Sequence, residues 1–139
     1  MHEKYDYIIV GAGSAGCLLA NRLSANPNNS VLLIEAGRKD NNLWLHVPVG
    51  YFKTMNNPKF DWMYQLEKDK GLNNRRIDWP RGKVLGGSSA LNGLLYIRGD
   101  RYDYDNWEQL GNKGWSYKDV LPYFKKFECQ ENGENEYHG

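Results

Sequence analysis

Charge of one sign is the first thing missing. The 139 residues carry 18 basic and 17 acidic side chains, a net of +1, so no strong field points to a nucleic acid or an anionic membrane. Cysteine is scarce: Cys17 and Cys129 are the only two. They lack C-x-x-C spacing and a neighbouring histidine cluster, which excludes a disulfide scaffold and leaves no metal site to propose. Two reduced thiols of a cytoplasmic protein are expected instead. Internal repeats and low-complexity tracts are absent. No apolar run is long enough to span a bilayer. The one candidate leader, "YIIVGAGSAGCLLA", is broken by three glycines and preceded by Asp6, and it lacks a basic flank and a small-residue cleavage site. That leaves only peripheral membrane association open. Mean hydropathy is low, at -0.76, although 40% of residues are hydrophobic. Long polar connections are expected, or a surface that expects more protein against it.

What is present begins with "YDYIIVGAGSAG". Tyr5 and Tyr7 to Val10 form a short β-rich run, the pattern of a parallel strand buried on both faces. Gly11, Gly13 and Gly16 then make a G-x-G-x-x-G. "SAGCLLANRLSA" reads as a helix with Leu18, Leu19 and Leu23 as its apolar stripe, ended by "NPNN". "SVLLIEAG" reads as a second buried strand ending at Glu35. The three glycines serve in turn the tight turn, the close approach of backbone to a pyrophosphate, and the close packing of helix on strand. The N–H groups at the helix start and the helix dipole favour phosphate. Glu35, 19 residues past Gly16, has the spacing of an acid that bonds a ribose hydroxyl. Such an acid disfavours a 2′-phosphate, and the motif alone does not separate NAD from FAD. The fold class that follows is α/β, Rossmann-like, with a βαβ start.

Residues 36–79 show little periodicity. Loop-like clusters alternate with "LWLHVPVGYF" and "FDWMYQL". An irregular stretch of this length is often functional, but its Trp and Tyr residues are expected to pack, and His46 to be structural. The next segment, "RGKVLGGSSALNGLLYIRG", would make a poor ordinary helix, because glycine costs about 1 kcal/mol against alanine there and serine and asparagine prefer caps and turns. Gly86 and Gly87 present bare backbone. Ser88 and Ser89 are expected to cap a short helix running through Asn92, its N-terminus offering further donors to a pyrophosphate.

This segment resembles a signature of the glucose–methanol–choline (GMC) oxidoreductases, carried by Gly82, Lys83, Leu85, Gly86, Gly87, Ser88, Ser89, Leu91, Asn92, Tyr96, Gly99 and Asp105. "WMYQLE", "GLN…RR", "YIRGDRYDYDNW" and "GWSYKDVLPYFKKFE" are similar to the choline-dehydrogenase-like branch. The resemblance covers essentially the whole chain. It implies an FAD enzyme that oxidises a small-molecule alcohol, choline or another primary alcohol, by hydride transfer to the flavin. It implies a cofactor site of Gly11, Gly13, Ser14, Ala15, Gly16, Glu35, Ala36, Arg81, Val84, Gly86, Gly87, Ser88, Asn92, Gly93, Leu94 and Leu95, with Asn92 to Leu95 nearest the flavin ring. Leu91 stands where some relatives carry a histidine that links covalently to the flavin, so non-covalent FAD is expected.

"YDYDNWEQLG" and "GWSYKDVLPYFKKFECQE" read as two helices. Ser116 with Asp119 suggests a capping box. Val120, Phe124 and Phe127 fall on one face as a core stripe, Pro122 lies near the first turns and can kink the helix, and the charges of 125–136 read as a solvated face. The resemblance further implies that residues 1–139 are the N-terminal part of the FAD-binding domain. The rest of that domain, the substrate domain and the catalytic histidine pair would lie outside them, so no catalytic residue is assigned here and His138 is not taken as the base. The chain alone is then expected to be inactive. A non-enzymatic truncated remnant with residual dinucleotide binding is the alternative, and an NAD-dependent dehydrogenase sharing only the opening motif a third reading. The particular alcohol, the choice between oxidase and dehydrogenase, and the oligomeric state are not fixed by these residues.

Overall fold

The computed structural model describes residues 4–139. Two compact units divide the chain, one ending at Leu95 and the other spanning Tyr96–Gly139.

The first unit opens with β1 (Tyr7–Val10), α1 (Ser14–Ser24) and β2 (Val31–Ile34). The strands are parallel, with Tyr7 opposite Val31 and Val10 opposite Ile34. This is the expected βαβ start. Asp6 ties the open end of the pair, its carboxylate accepting from Ser30 N at 2.8 Å and Ser30 Oγ at 2.7 Å. These bonds from Ser30 hold the Asp6 carboxyl below its ordinary pKa. The burial of both strand faces is not met: Ile8 is 60% and Val10 83% exposed. Among the described residues this sheet has two strands only, so much of its apolar surface has no layer against it. The stripe on α1 also differs. Leu18 and Leu19 are exposed, whereas Gly16, Ala20 and Leu23 are the shielded residues, at i, i+4 and i+7.

Residues 36–79 fold into short pieces: α2 (Leu43–His46), a 3-10 turn at Pro48–Gly50, α3 (Tyr51–Thr54), β3 (Tyr64–Gln65), a 3-10 turn at Lys70–Leu72 and β4 (Asp78–Trp79). β3 and β4 pair antiparallel, Tyr64 opposite Trp79. His46, at the end of α2, sets its Nε2 against the Asp40 carbonyl. The packing expected of the Trp and Tyr residues is met only in part: Tyr51 is half-buried against Phe52, but Trp44, Trp62, Tyr64 and Trp79 are all exposed.

The core sits elsewhere. Phe60, Val84 and Leu91 form the buried cluster, with Leu45, Met55 and Ala90 against it. Burial stabilises by about 1.5–3 kcal/mol for each such large side chain. Beside Phe60 lies Asp61, 2% exposed. Its Oδ1 accepts from Met63 N and Arg81 N, both at 2.9 Å, and its Oδ2 from Asn56 N at 2.8 Å. One carboxylate thus satisfies three backbone donors from three loop positions.

The "LGGSSALN" segment departs from its expected form. The helical part is a 3-10 turn, Gly87–Ala90, preceded by Gly86 and closed at Leu91. The serines do not cap it, because Gly86 and Gly87 occupy the left-handed region at φ +93° and +59° and set the turn themselves. Ser88 Oγ instead accepts from Gly82 N at 3.1 Å, and Ser89 Oγ meets Ser14 Oγ.

In the second unit α4 (Arg101–Gln109) packs with α5 (Tyr117–Phe127). Asp100 caps α4 by accepting from Tyr102 N at 2.8 Å. The capping box at α5 is altered: Ser116 Oγ donates to Asp119 Oδ2 at 2.5 Å, and Tyr117 N donates across to Asp105 Oδ1 at 3.0 Å. Pro122 lies in the second turn of α5, where it leaves the Lys118 carbonyl without a helical donor. The core stripe is partial. Val120 and Phe124 are half-buried and Phe127 is 63% exposed. The charges of 125–136 are not simply a solvated face. Glu128 receives Arg98 Nη2 at 2.5 Å and faces His138 Nδ1 at 2.9 Å, its side chain only 12% exposed. The His138 bond, with help from the Gly139 N–H and the Arg98 charge against partial burial, lowers the Glu128 pKa.

Two outcomes follow for stability. Asp61→Ala leaves three part-buried N–H groups without an acceptor, at about 1 kcal/mol each, the low end of the cost of an unmade bond. It should destabilise the first unit by about 3 kcal/mol in urea denaturation, and Asp61→Asn by less. Glu128, with its depressed folded-state pKa, contributes stability above the ordinary carboxylate pKa of about 4.3 that is lost as pH falls through the folded value. Proteolysis of the 129–139 segment should therefore accelerate below about pH 4, whereas in Glu128→Gln it should be fast already at about pH 7.

Candidate functional site

The first and third glycines of the G-x-G-x-x-G turn take the parts expected of them. Gly11 takes φ +97°, and a Cβ on Gly16 would lie 1.9 Å from the Gly11 carbonyl oxygen. The first glycine is needed for conformation and the third for packing. Glu35 follows β2 directly. Its Oε2 accepts from Ala12 N and its Oε1 from Gly37 N, both at 2.8 Å. The carboxylate is thereby fixed beside the glycine turn, with acceptor capacity left for a hydroxyl.

The second glycine loop packs on the first. Gly86 N donates to Ala12 O at 2.8 Å, and Leu85 N to Arg38 O at 2.9 Å. A Cβ on Gly87 would lie 2.8 Å from Gly13 Cα, and one on Gly37 would lie 2.0 Å from the Lys83 carbonyl carbon. A cleft of about 570 Å³ opens between the loops. Of the predicted residues Gly11, Gly13, Glu35, Ala36, Arg81, Gly87 and Ser88 line it. Asn92 and Leu94 line a separate pocket of about 110 Å³ that also holds Trp44, His46 and Ser89.

The remaining predicted positions are placed as follows. Ser14 and Ala15 are exposed on the first turn of α1, and Gly16 is buried beneath it. Val84 points into the core, so only its backbone faces the loops. Gly86 supplies the inter-loop bond. Gly93 and Leu95 are exposed, Leu95 at 84%. All the predicted residues fall within the first unit.

Sequence reasoning missed Val10, Ile34 and Gly82 of the cleft wall and, with them, two large aromatics, Trp62 and Tyr64. Their rings stack at 5.9 Å with 4° between planes. The available signal was the W-x-Y spacing in "FDWMYQL", inside a stretch too irregular for packing to explain it. Cations crowd this wall. Lys83 Nζ lies 4.5 Å from the Trp62 ring centroid, and the Arg81 guanidinium 4.9 Å from that of Trp79. Among the described residues no group of His, Cys, Asp and Glu could hold a metal ion, and no helix is long and apolar enough to cross a membrane. Both cysteines are free and exposed.

The residues fit a dinucleotide. Bare backbone, free N–H groups at a helix start, a positioned carboxylate and the Arg81 guanidinium border one open cleft. Comparison with known proteins agrees. The chain is 50% identical over all of its 139 residues to an oxygen-dependent choline dehydrogenase of Vibrio vulnificus (strain YJ016). It is also 50% identical, over 97% of its length, to an alcohol dehydrogenase [acceptor] of Pseudomonas putida. It spans about a quarter of each of these relatives. A crystal structure of pyridoxine 4-oxidase from Mesorbium loti superposes with a TM-score of 0.86 at 37% identity, over 98% of this chain and 27% of that one. The family profile for GMC oxidoreductase matches residues 5–136, and the chain belongs to that family of flavin-dependent oxidoreductases.

Proposed function

We propose that this chain forms the ADP-side cradle and one wall of the flavin site in an FAD-dependent oxidoreductase acting on CH–OH groups, with choline or another primary alcohol as donor. It is the N-terminal part of the FAD-binding domain of a cytoplasmic enzyme. The observation that carries this reading is Gly13. Its backbone is extended, at φ -80° and ψ -169°, a conformation open to any residue. A Cβ there would meet nothing within 4 Å. Neither strain nor packing requires glycine at a residue that lines the cleft. As the N-cap of α1 the position would be served better by Ser, Asp or Asn, so the empty space in front of its backbone supports a ligand that approaches there.

When bound, FAD supplies the two-electron acceptor for the hydride of the alcohol. The chain's own residues bind and orient. Glu35 accepts from a ribose hydroxyl while Ala12 and Gly37 hold its carboxylate in place. Gly13, Gly87 and the first turn of α1 present backbone to the pyrophosphate, and Arg81 adds positive charge. Asn92 and Leu94 wall a second pocket for the ring half. The group that takes the hydroxyl proton is supplied from outside these residues. Leu91 supports non-covalent attachment: it is 3% exposed within the Phe60–Val84 cluster, so the position bears no nucleophile and faces the core.

The test is titration of the purified chain with FAD, alongside two glycine variants. Gly13→Ala should stay folded, losing about 1 kcal/mol at most at the N-cap of α1, and lose about tenfold in FAD affinity, about 1.4 kcal/mol. Gly16→Ala should lose the fold first. Bound flavin should leave the protein on acid precipitation, and choline should not bleach it. Wild-type FAD affinity unchanged by Gly13→Ala would defeat the cradle reading. Flavin retained in the acid pellet would defeat non-covalent attachment, and bleaching by choline would show that the base lies within the chain.

A further inference from the structure

We propose that Trp62 and Tyr64 form the base-side wall of the cleft, the surface against which the planar base of the dinucleotide stacks. This rests on the cofactor reading above and adds to it the residues that recognise the base. The cleft that contains both rings also contains Glu35 and the first glycine loop, the ribose and pyrophosphate end. Asn92 and Leu94, the residues expected nearest the flavin, line a different pocket. A ring lying in the larger cleft is therefore the base of the ribose half.

The pair has no part in the core, which is built from Phe60, Val84 and Leu91. It is nonetheless held firmly while 39% and 51% exposed. Trp62 N donates to Arg81 O at 2.9 Å, and Tyr64 is registered against Trp79. Between the rings, Met63 is forced to φ +58°, a left-handed conformation that a side chain of this size rarely adopts. Its N–H is pinned there at 2.9 Å by the buried Asp61 carboxylate. Strain of this kind persists only where surrounding structure imposes it, and it clusters at ligand clamps. Here it sets two large aromatic rings parallel at the edge of a nucleotide-sized cleft. Lys83 lies against the Trp62 ring at 4.5 Å, and Arg81 lines the cleft itself, so positive charge stands on and behind this wall. Stacked aromatics with a cation alongside are how proteins hold nucleobases without hydrogen-bond readout.

The experiment compares ADP with ribose 5-diphosphate, its base-free counterpart, on the purified chain. Trp62→Ala and Tyr64→Ala should each weaken ADP by about tenfold, the usual scale for losing one base–aromatic stack, and leave ribose 5-diphosphate unchanged. ADP should quench tryptophan emission in the wild type, and the folded, conservative Trp62→Phe should keep most of the affinity while losing most of the quench. Equal losses for both ligands, no loss for either, or a quench undiminished in Trp62→Phe would each overturn the proposal. A wild-type chain that ignores both ligands would instead overturn the cofactor reading beneath it.

Discussion

The first unit depends on backbone lying directly against backbone. Gly86 N reaches Ala12 O at 2.8 Å, and a Cβ on Gly87 would come within 2.8 Å of Gly13 Cα. Gly82 is similarly confined, its missing Cβ falling 2.2 Å from the Gly87 oxygen. These approaches put two loops, more than seventy residues apart in sequence, in contact without side chains between them. The cleft is the space left where they separate, and the core of Phe60, Val84 and Leu91 involves the residues that flank the second loop. Glu35 belongs to the same contact, because its carboxylate bridges the first loop to the chain leaving β2. A shift of either loop would move the core, the carboxylate and the cleft together.

The irregular segment that completes this unit is organised by polar atoms more than by apolar ones. Asp61 collects N–H groups from Asn56, Met63 and Arg81. Around it, Lys83 N donates to Phe60 O at 2.6 Å and Leu66 N to Ile77 O at 2.9 Å. Buried backbone donors need partners, and a carboxylate can serve several where no ladder exists. That is how a chain of low mean hydropathy builds an ordered wall from a stretch with no periodicity. It also explains why large aromatics can stand exposed there: the backbone beneath them is fixed by hydrogen bonds, so the rings are free to face the cleft.

What could be read from the sequence divides along the same line. β1, α1 and β2 were legible almost to the residue, because strand composition, a glycine turn and a helix terminator act over a few neighbours. Glu35 was legible because its spacing from Gly16 is set by one helix and one strand. The roles of Ser88 and Ser89 were not. Local propensity makes them caps, but the left-handed Gly86 and Gly87 fix the turn and the hydroxyls turn to Gly82 and Ser14. Trp62 and Tyr64 escaped for a related reason. Their placement follows from Asp61 and from pairing with residues 79–81, contacts that no local pattern encodes. Exposure of β1 and the altered stripe of α1 reflect tertiary surroundings, which outweigh periodicity when few layers are present.

The glycines show why geometry adds to a motif rather than repeating it. Gly11 and Gly86 are glycine for conformation, at φ +97° and +93°. Gly16 and Gly37 are glycine for packing, since any side chain would meet backbone at about 2 Å. These four would be required of the fold whether or not it ever met a nucleotide, so their presence in a pattern says little about binding. Gly13 is different, with ordinary dihedral angles and empty space before it. A fold under selection for stability alone would favour Ser, Asp or Asn there, because Gly13 is the N-cap of α1 and makes no side-chain cap bond, a deficit of about a few tenths of a kcal/mol. Glycine held against that preference, at the lip of a cleft shared with a pinned carboxylate, is the point at which the needs of the fold and the needs of a ligand separate.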